Sequence, residues 1–382
     1  MALTLHGTVS DNTVVLSRQN ANPLIINGDM AVAQRGTSFT SQTGVAYHLD
    51  RYEVSAYNMG DGVYRVDQST DVPAGQGFAN SNKISCTTAD ASQDANNQFY
   101  FQTQLEGTAT SLLNYFVASP DTVSIAFWVR SNRTGTHSLA LKLSDNGSVE
   151  NNSATRVYNK LYTISSANTW EKIVCAIPLD SSTSETKVTG TGFAVAVQFW
   201  MGAGTSRDGA AAESWIDNGN ATTASANEDM LASTSNDWYI TGLQMEVGSF
   251  DANSIPPFQH ESFGDSLLRC QRYFQIQASG ASGSGYANGS FRTNANAQIT
   301  HHFKTDMRTS PTCTQIAGSN MIVHDTADGN NITVTSIDSV LFNSVGGVII
   351  AYNLSGTSAS AGDGCWLYNT GSTPGVTFDS EL

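Results

Sequence analysis

The sequence has 382 residues, with 18 Lys+Arg against 33 Asp+Glu, a formal charge of −15. Charged residues make up only 13% of it, against about 25% in soluble domains, which excludes a helical bundle or coiled coil. No basic stripe exists to neutralise phosphates, which argues against a nucleic-acid or anionic-membrane binder. The 16 Phe, 13 Tyr and 6 Trp can build a core, which argues against disorder as well.

Taken from the start, MALTLHGTVSDNT lacks the basic and apolar regions of a signal peptide. Residues 1–22 offer Leu3, Leu5, Val14 and Leu16 as apolar anchors, too few for a core of their own. This stretch is expected to be an arm that docks the protein onto its assembly. No run approaches the roughly 20 apolar residues of a membrane helix, so no membrane insertion is expected.

Within residues 23–260 several segments alternate with period 2, the mark of half-buried antiparallel strands. Val123, Ile125, Phe127 and Val129 share one face, as do Ile173, Cys175, Ile177 and Leu179. Phe193, Val195, Val197, Phe199 and Met201 repeat the pattern, followed by Tyr239, Thr241, Leu243, Met245 and Val247. Polar loops such as 143–155 and 202–236 separate these strands. A jelly-roll β-sandwich follows.

Within 262–274, Phe263, Leu267, Cys270 and Phe274 form a helical stripe, and Ser262 with Asp265 reads as a capping-box start. Residues 261–276 are therefore a connecting helix. Beyond a Gly/Ser-rich stretch, strand-like runs at 297–304, 331–337 and 346–354 predict a second small β-sandwich domain over 277–382. The whole is an all-β chain. The run Gly347-Val348-Ile349-Ile350-Ala351-Tyr352 fits a strand buried on both sides. In so small a domain, a neighbouring chain in a closed ring of three would cover one side.

The sequence holds no Walker A, H-E-x-x-H or G-x-S-x-G pattern, and no cofactor or metal site is indicated. Five cysteines without a C-x-x-C pair read as small buried thiols. His301 and His302 are adjacent, so on a strand they face opposite ways and cannot chelate together. His301, between Ile299 and Phe303, is expected to be buried. Asp29, Asp50, Glu106, Asp217 and Glu246 leave a glycan-degrading enzyme open, since two carboxylates suffice for it. A more specific signal lies opposite the apolar stripes, at Trp128, Arg130, Gln198, Trp200, Gln244 and Glu246, with Trp238 at a strand start. Rings beside amides and charges suit sugar binding. The same pattern also fits a face buried against the helix, the second domain or a symmetry mate. Should 123–130 and 193–201 share a sheet, Trp128 and Trp200 flank one groove. Trp215 is expected to plug its own loop to the sandwich.

The order of motifs carries a resemblance. NPLIINGDMAVAQRGTS (22–38) precedes Asp50-Arg51-Tyr52, then SIAFWVRS (124–131), WEKIVCAIPL (170–179) and ITGLQMEVG (240–248). PPFQHESFGDSLLRCQRYF (256–274), MRTSPT (307–312) and a final Asp-Ser-Glu-Leu complete it. Over about 22–274 this resembles bacteriophage virion proteins of the tail-fibre or receptor-binding type, whose central domain is similar to carbohydrate-binding jelly rolls. Met245 stands where Leu is usual and Tyr52 where Trp or Phe is frequent, and both swaps keep apolar volume. The resemblance implies a structural, trimeric virion component made in the host cytoplasm. It implies contact with other virion proteins through the N-terminal arm, and with host-surface polysaccharide. It transfers no catalytic residue, and it leaves a tail fibre or a capsid fibre or decoration protein open.

Overall fold

The alternating segments become strands that pair antiparallel in two facing sheets. In the computed structural model, the described residues are 22–90, 93–148, 155–218, 223, 229–277, 285–316, 320–356, 359–370 and 375–382. The expected docking arm lies outside them, Asn22 apart.

One sheet has six strands: β1 (Ser38–Gln42), β4 (Val63–Ser69), β5 (Ser81–Thr88), β7 (Thr122–Ser131), β10 (Glu171–Pro178) and β13 (Asp237–Val247). Their order is β1-β4-β5-β13-β7-β10. The other has seven: β2 (Ala46–Tyr47), β3 (Tyr52–Tyr57), β6 (Gln98–Glu106), β8 (Gly135–Ser144), β9 (Thr155–Ile164), β11 (Phe193–Ala203) and β12 (Trp215–Asp217). These run β12-β9-β8-β11-β6-β3-β2. The order jumps between distant strands, as in a jelly roll. Between the sheets the rings of Phe127 and Phe199 meet edge to face at 4.8 Å, and Trp238 lies 5.6 Å from Phe101 and 5.8 Å from Phe199. Each such ring withdraws its whole apolar surface from water, worth about 1.5–3 kcal/mol.

Trp238 corrects the sequence reading. At the β13–β7 pairing the register slips between Thr241 and Gln244, where Gly242 takes φ +62. This bulge inserts one residue, so the inward face changes parity along the strand. Trp238 and Ile240 point inward before it, and Leu243, Met245 and Val247 after it. Tyr239 and Thr241 consequently lie on the outer side.

Helix α1 (Phe263–Gln271) follows the sandwich. Ser262 caps it as read: its hydroxyl oxygen accepts from the Asp265 N–H at 3.2 Å and its O–H donates to the Asp265 carboxylate at 2.6 Å. Cys270 is buried, but Phe263 is 59% exposed. Of the rest of the expected stripe, Leu267 is half-buried and Phe274 lies past the helix, in the strand that follows. Among the described residues no helix is long and apolar enough to cross a membrane.

The second domain is also all-β. Strands β14 (Phe274–Gln277), β17 (Thr312–Gln315) and β22 (Val376–Asp379) form a small sheet in the order β14-β22-β17. A closed barrel is made from β15 (Ala287–Thr293), β16 (Asn296–His302), β18 (Met321–Asp325), β19 (Asn331–Asn343), β20 (Gly347–Leu354) and β21 (Gly364–Asn369). Closure explains the apolar run at 347–352. Strand β20 is paired on both edges, with β16 and β19, and Val348, Ile350 and Tyr352 fill the barrel interior. Both of its backbone edges are thus paired within this chain, while Ile349, on its outer face, is half-buried.

The last residues of the sequence clasp the two domains. Glu381 is buried against the guanidiniums of Arg51 and Arg35, and Asp379 bridges to Arg35 at 3.2 Å. Arg51 stacks 3.4 Å over the Tyr273 ring, and Arg35 lies 3.5 Å over Phe274. Arg308 donates to the carbonyls of Thr191, Ser380 and Glu381, and Arg272 pairs with Glu106 at 2.8 Å. Asn27 ties Val32 to Asp50, whose carboxylate accepts from the Gln34 backbone N–H and side-chain amide. The motifs around Asn27, Asp50-Arg51, Arg272-Tyr273-Phe274 and Arg308 therefore meet the terminal Asp-Ser-Glu-Leu at one junction.

Candidate functional site

The six sequence-selected residues do not form one site. Trp128 and Arg130 stand on β7 of the six-stranded sheet, while Gln198 and Trp200 stand on β11 of the seven-stranded sheet. Both pairs point away from the shared core, so they occupy opposite sides of the sandwich. No single groove holds both tryptophans.

The outer side of the seven-stranded sheet is closed around Trp200. Its ring is 1% exposed and packs 4.7 Å from Tyr100, within a cluster completed by Ala140 and Val157. Beside it runs a chain of side-chain hydrogen bonds: Gln198 donates to Gln102 at 2.8 Å, and Gln102 donates to Glu53 at 2.9 Å. Trp215 behaves as expected, packing against the sandwich core and Tyr158 while its N–H donates to the Pro178 carbonyl at 2.8 Å.

Half of the opposite outer face lies beneath a strap, residues 248–258. Phe250 and Ile255 pack on Ala126 and Val174, and Ser124 is bonded to both Gly248 and Phe250. Gln244 donates to the Pro256 carbonyl at 3.1 Å, and Glu246 is buried with it. The strap thus takes Gln244 and Glu246 out of solvent.

The remaining half is the candidate site. Cross-strand pairing puts Lys83, Tyr239 and Arg130 in one row and Thr241, Trp128 and Lys172 in the next. Arg130 lies 4.7 Å over the Tyr239 ring, and Trp170 meets that ring edge-on at 6.0 Å. Asp71 ties the row together: it accepts from the Trp170 N–H at 2.9 Å and pairs with Arg130 at 3.1 Å. Phe78, Phe258 and His260 form a ring cluster with centroids 4.9–5.2 Å apart. Gly242 brings that cluster to Trp128, for a Cβ there would lie 2.6 Å from Phe78 and 3.1 Å from Trp128. Partial burial lowers the pKa of Lys172 beside Trp128. Trp128, Trp170 and Phe78 are half-buried, each with part of its surface in solvent.

Such a surface is suited to holding a sugar ring. Indole and phenyl faces accept the C–H face of a pyranose, while the cations and Asp71 can bond its hydroxyls. Sequence reasoning missed Tyr239, Trp170, Phe78, Lys172 and Asp71. Trp170 opens the 170–179 run ahead of its apolar alternation at Ile173, Phe78 lies in no run read from the sequence, and Tyr239 is hidden by the bulge. Three of the carboxylates that left an enzyme open are engaged by other side chains: Glu106 pairs with Arg272, Asp217 with Arg156, and Asp50 with Gln34. The cysteines are free, and burial pushes the Cys86 thiol up to about 11 and Cys175 to about 12.

No family model and no curated protein matches the sequence. Among solved structures, the chain is similar to the enzymatically active domain of tailspike protein 4 from bacteriophage CBA120, at 13% identity and a TM-score of 0.29. That match covers 59% of this chain and 21% of the tailspike chain. A putative sugar-binding protein from Bacteroides thetaiotaomicron aligns at 10% identity over 59% of this chain and 100% of its own, with a TM-score of 0.33. A family 11 carbohydrate-binding module of Clostridium thermocellum aligns at 9% identity over 55% of this chain and 97% of its own, with a TM-score of 0.28.

Proposed function

We propose that this chain is a non-catalytic adhesion component of a bacteriophage particle, of the tail-fibre type, that binds host-surface glycans. The observation that carries the binding role is the outer face of the six-stranded sheet, where Trp128, Trp170 and Phe78 stand beside Arg130, Lys172 and Asp71. A ring–sugar contact contributes on the order of 1 kcal/mol, so one copy binds weakly and several copies on one particle bind firmly. Support for a particle role comes from the ordered motifs between Asn22 and Phe274. A homotrimer is part of the proposal, and Val340, Val345 and Phe342 on the barrel offer it exposed apolar surface.

The test is binding of the purified chain to host-surface polysaccharide. Trp128→Ala is expected to lower binding at least tenfold while shifting the unfolding free energy by no more than about 1 kcal/mol. Unchanged binding would overturn the assignment of this face. Immunogold labelling at the tail tip supports the tail-fibre role, labelling over the capsid favours a decoration protein, and release of reducing ends would replace both with a glycan-degrading enzyme.

A further inference from the structure

A second site is built into the barrel domain, independent of the sandwich face. Strands β15 and β16 pair with Asn288 opposite Thr300. Ala287, Ile299 and His301 fill the inner side, so Asn288, Thr300 and His302 stand on the outer one. Strand β14 approaches that outer side and leaves a cavity of about 260 Å³ between the small sheet and the barrel. Gln277, Asn288, Thr300, His302 and Lys304 supply its polar walls, and Tyr286 stands among its apolar ones.

Gln277 is held rigidly. Its side-chain oxygen accepts from the His301 Nδ1–H at 2.7 Å, and its NH2 donates to the His302 carbonyl at 2.7 Å. The other His301 nitrogen then accepts from the Tyr352 hydroxyl at 2.9 Å, which assigns the tautomer through the network. Burial lowers the His301 pKa to about 3, so this wall keeps its shape at ordinary pH.

Charge sets the ligand class. The sequence carries −15, yet no Asp or Glu lines this cavity, and Lys304 and His302 stand together at it. Among the described residues the side chains of Asn288, Thr300 and Lys304 have no hydrogen-bond or ion-pair partner, so their donors are available. The volume falls just below the roughly 300–1,000 Å³ typical of drug-sized ligands, which suits one sugar ring rather than a chain. We infer that this cleft takes a single carboxylate-bearing sugar residue of the uronic-acid class. Its carboxylate lies at Lys304 and His302, its hydroxyls meet Asn288, Thr300 and Gln277, and its apolar side faces Tyr286. An ammonium–carboxylate contact is charge-assisted, which distinguishes an acidic sugar from its neutral counterpart.

The experiment is ligand-observed saturation-transfer NMR on the full chain with D-glucuronate, and with D-glucose at the same concentration and ionic strength. Expected is transfer to the glucuronate ring protons with at least a fivefold weaker signal for glucose. Lys304→Ala is expected to remove the glucuronate signal, Lys304→Arg to retain most of it, and Trp128→Ala to leave it unchanged. Lys304 is exposed, so folding of the variant is checked by an unshifted thermal transition. Thr300→Val provides a second, uncharged probe, with a weakened signal expected. Equal transfer to glucose, or a signal that survives Lys304→Ala, overturns the inference. Complete displacement by acetate or inorganic phosphate overturns it too, since the site would then hold a bare anion. Loss of the signal in Trp128→Ala would place the sugar on the sandwich face instead.

Discussion

Trp128 and Trp200 hold equivalent outward positions on their strands, but only Trp128 keeps part of its ring in solvent. Trp200→Ala leaves a void beside Tyr100 and is expected to cost about 3–5 kcal/mol in denaturant unfolding. A cost below 1 kcal/mol would contradict the packing around it. Whether solvent or the protein's own chain covers an outward ring is invisible in alternation, which is why the sequence ranks the two alike. The histidines carry a pH signature. Burial lowers His48 to about 4 and His301 to about 3 from a usual 6.5. A lowered pKa means that the unfolded chain binds protons first on acidification, so stability falls as pH drops below 6.5. Down to pH 5, each histidine is expected to remove about 2 kcal/mol. Denaturant titrations at pH 7 and 5 (about 7 and about 5 bracketing the imidazole range) test this, with His301→Gln flattening the slope. An unchanged slope in that variant would show that His301 does not contribute.

At the scale of elements, the bulge in β13 decides what the candidate site contains. Gly242 takes a left-handed φ and sits against Phe78 and Trp128. Gly242→Ala therefore meets both a backbone penalty and a collision, and is expected to destabilise the chain by about 1–2 kcal/mol. It should also weaken polysaccharide binding by displacing the two rings. Full retention of both properties would mean that the bulge does not organise the site. Period-2 reading places Leu243, Met245 and Val247 inward, as found, but carries the parity through the bulge and so misplaces Tyr239, Thr241 and Trp238. A single inserted residue reverses every position before it. The Ser262 cap is legible because it acts within four residues, whereas the exposure of Phe263 depends on what the helix end meets.

For the whole molecule, the terminal clasp joins sandwich, helix and barrel through Glu381, Arg51, Arg35 and Arg308. Removing one partner from a buried ion pair leaves the other charged and unsolvated, at about 3–5 kcal/mol. Glu381→Ala is expected to split the thermal unfolding into separate sandwich and barrel transitions by calorimetry. One transition at an unshifted temperature would show that other contacts hold the domains. Of the motifs behind the resemblance, the stretches around Asn27 and Gln34, Asp50-Arg51 and Arg272-Tyr273-Phe274 are parts of this junction. Other parts of the same motifs, Trp128 and Arg130, Trp170 and Lys172, and Gly242, stand at the candidate site instead.

By itself, the sequence determines strands β7, β10, β11 and β13 of the sandwich, β16, β19 and β20 of the barrel, the connecting helix with its cap, and the burial of Val123, Phe127, Val197 and His301. Each of these depends on neighbours within a few residues or on a repeating side-chain parity, which linear order carries directly. Tertiary structure alone decides that β7 and β11 lie in opposite sheets, that the strap covers Gln244 and Glu246, and that the barrel closes around β20. It also decides that Lys304 and His302 face a cavity against β14. Those outcomes depend on strand order and on segments far apart in the chain, and antiparallel pairing energy is nearly the same for many orders. Only the packing of distant side chains selects among them.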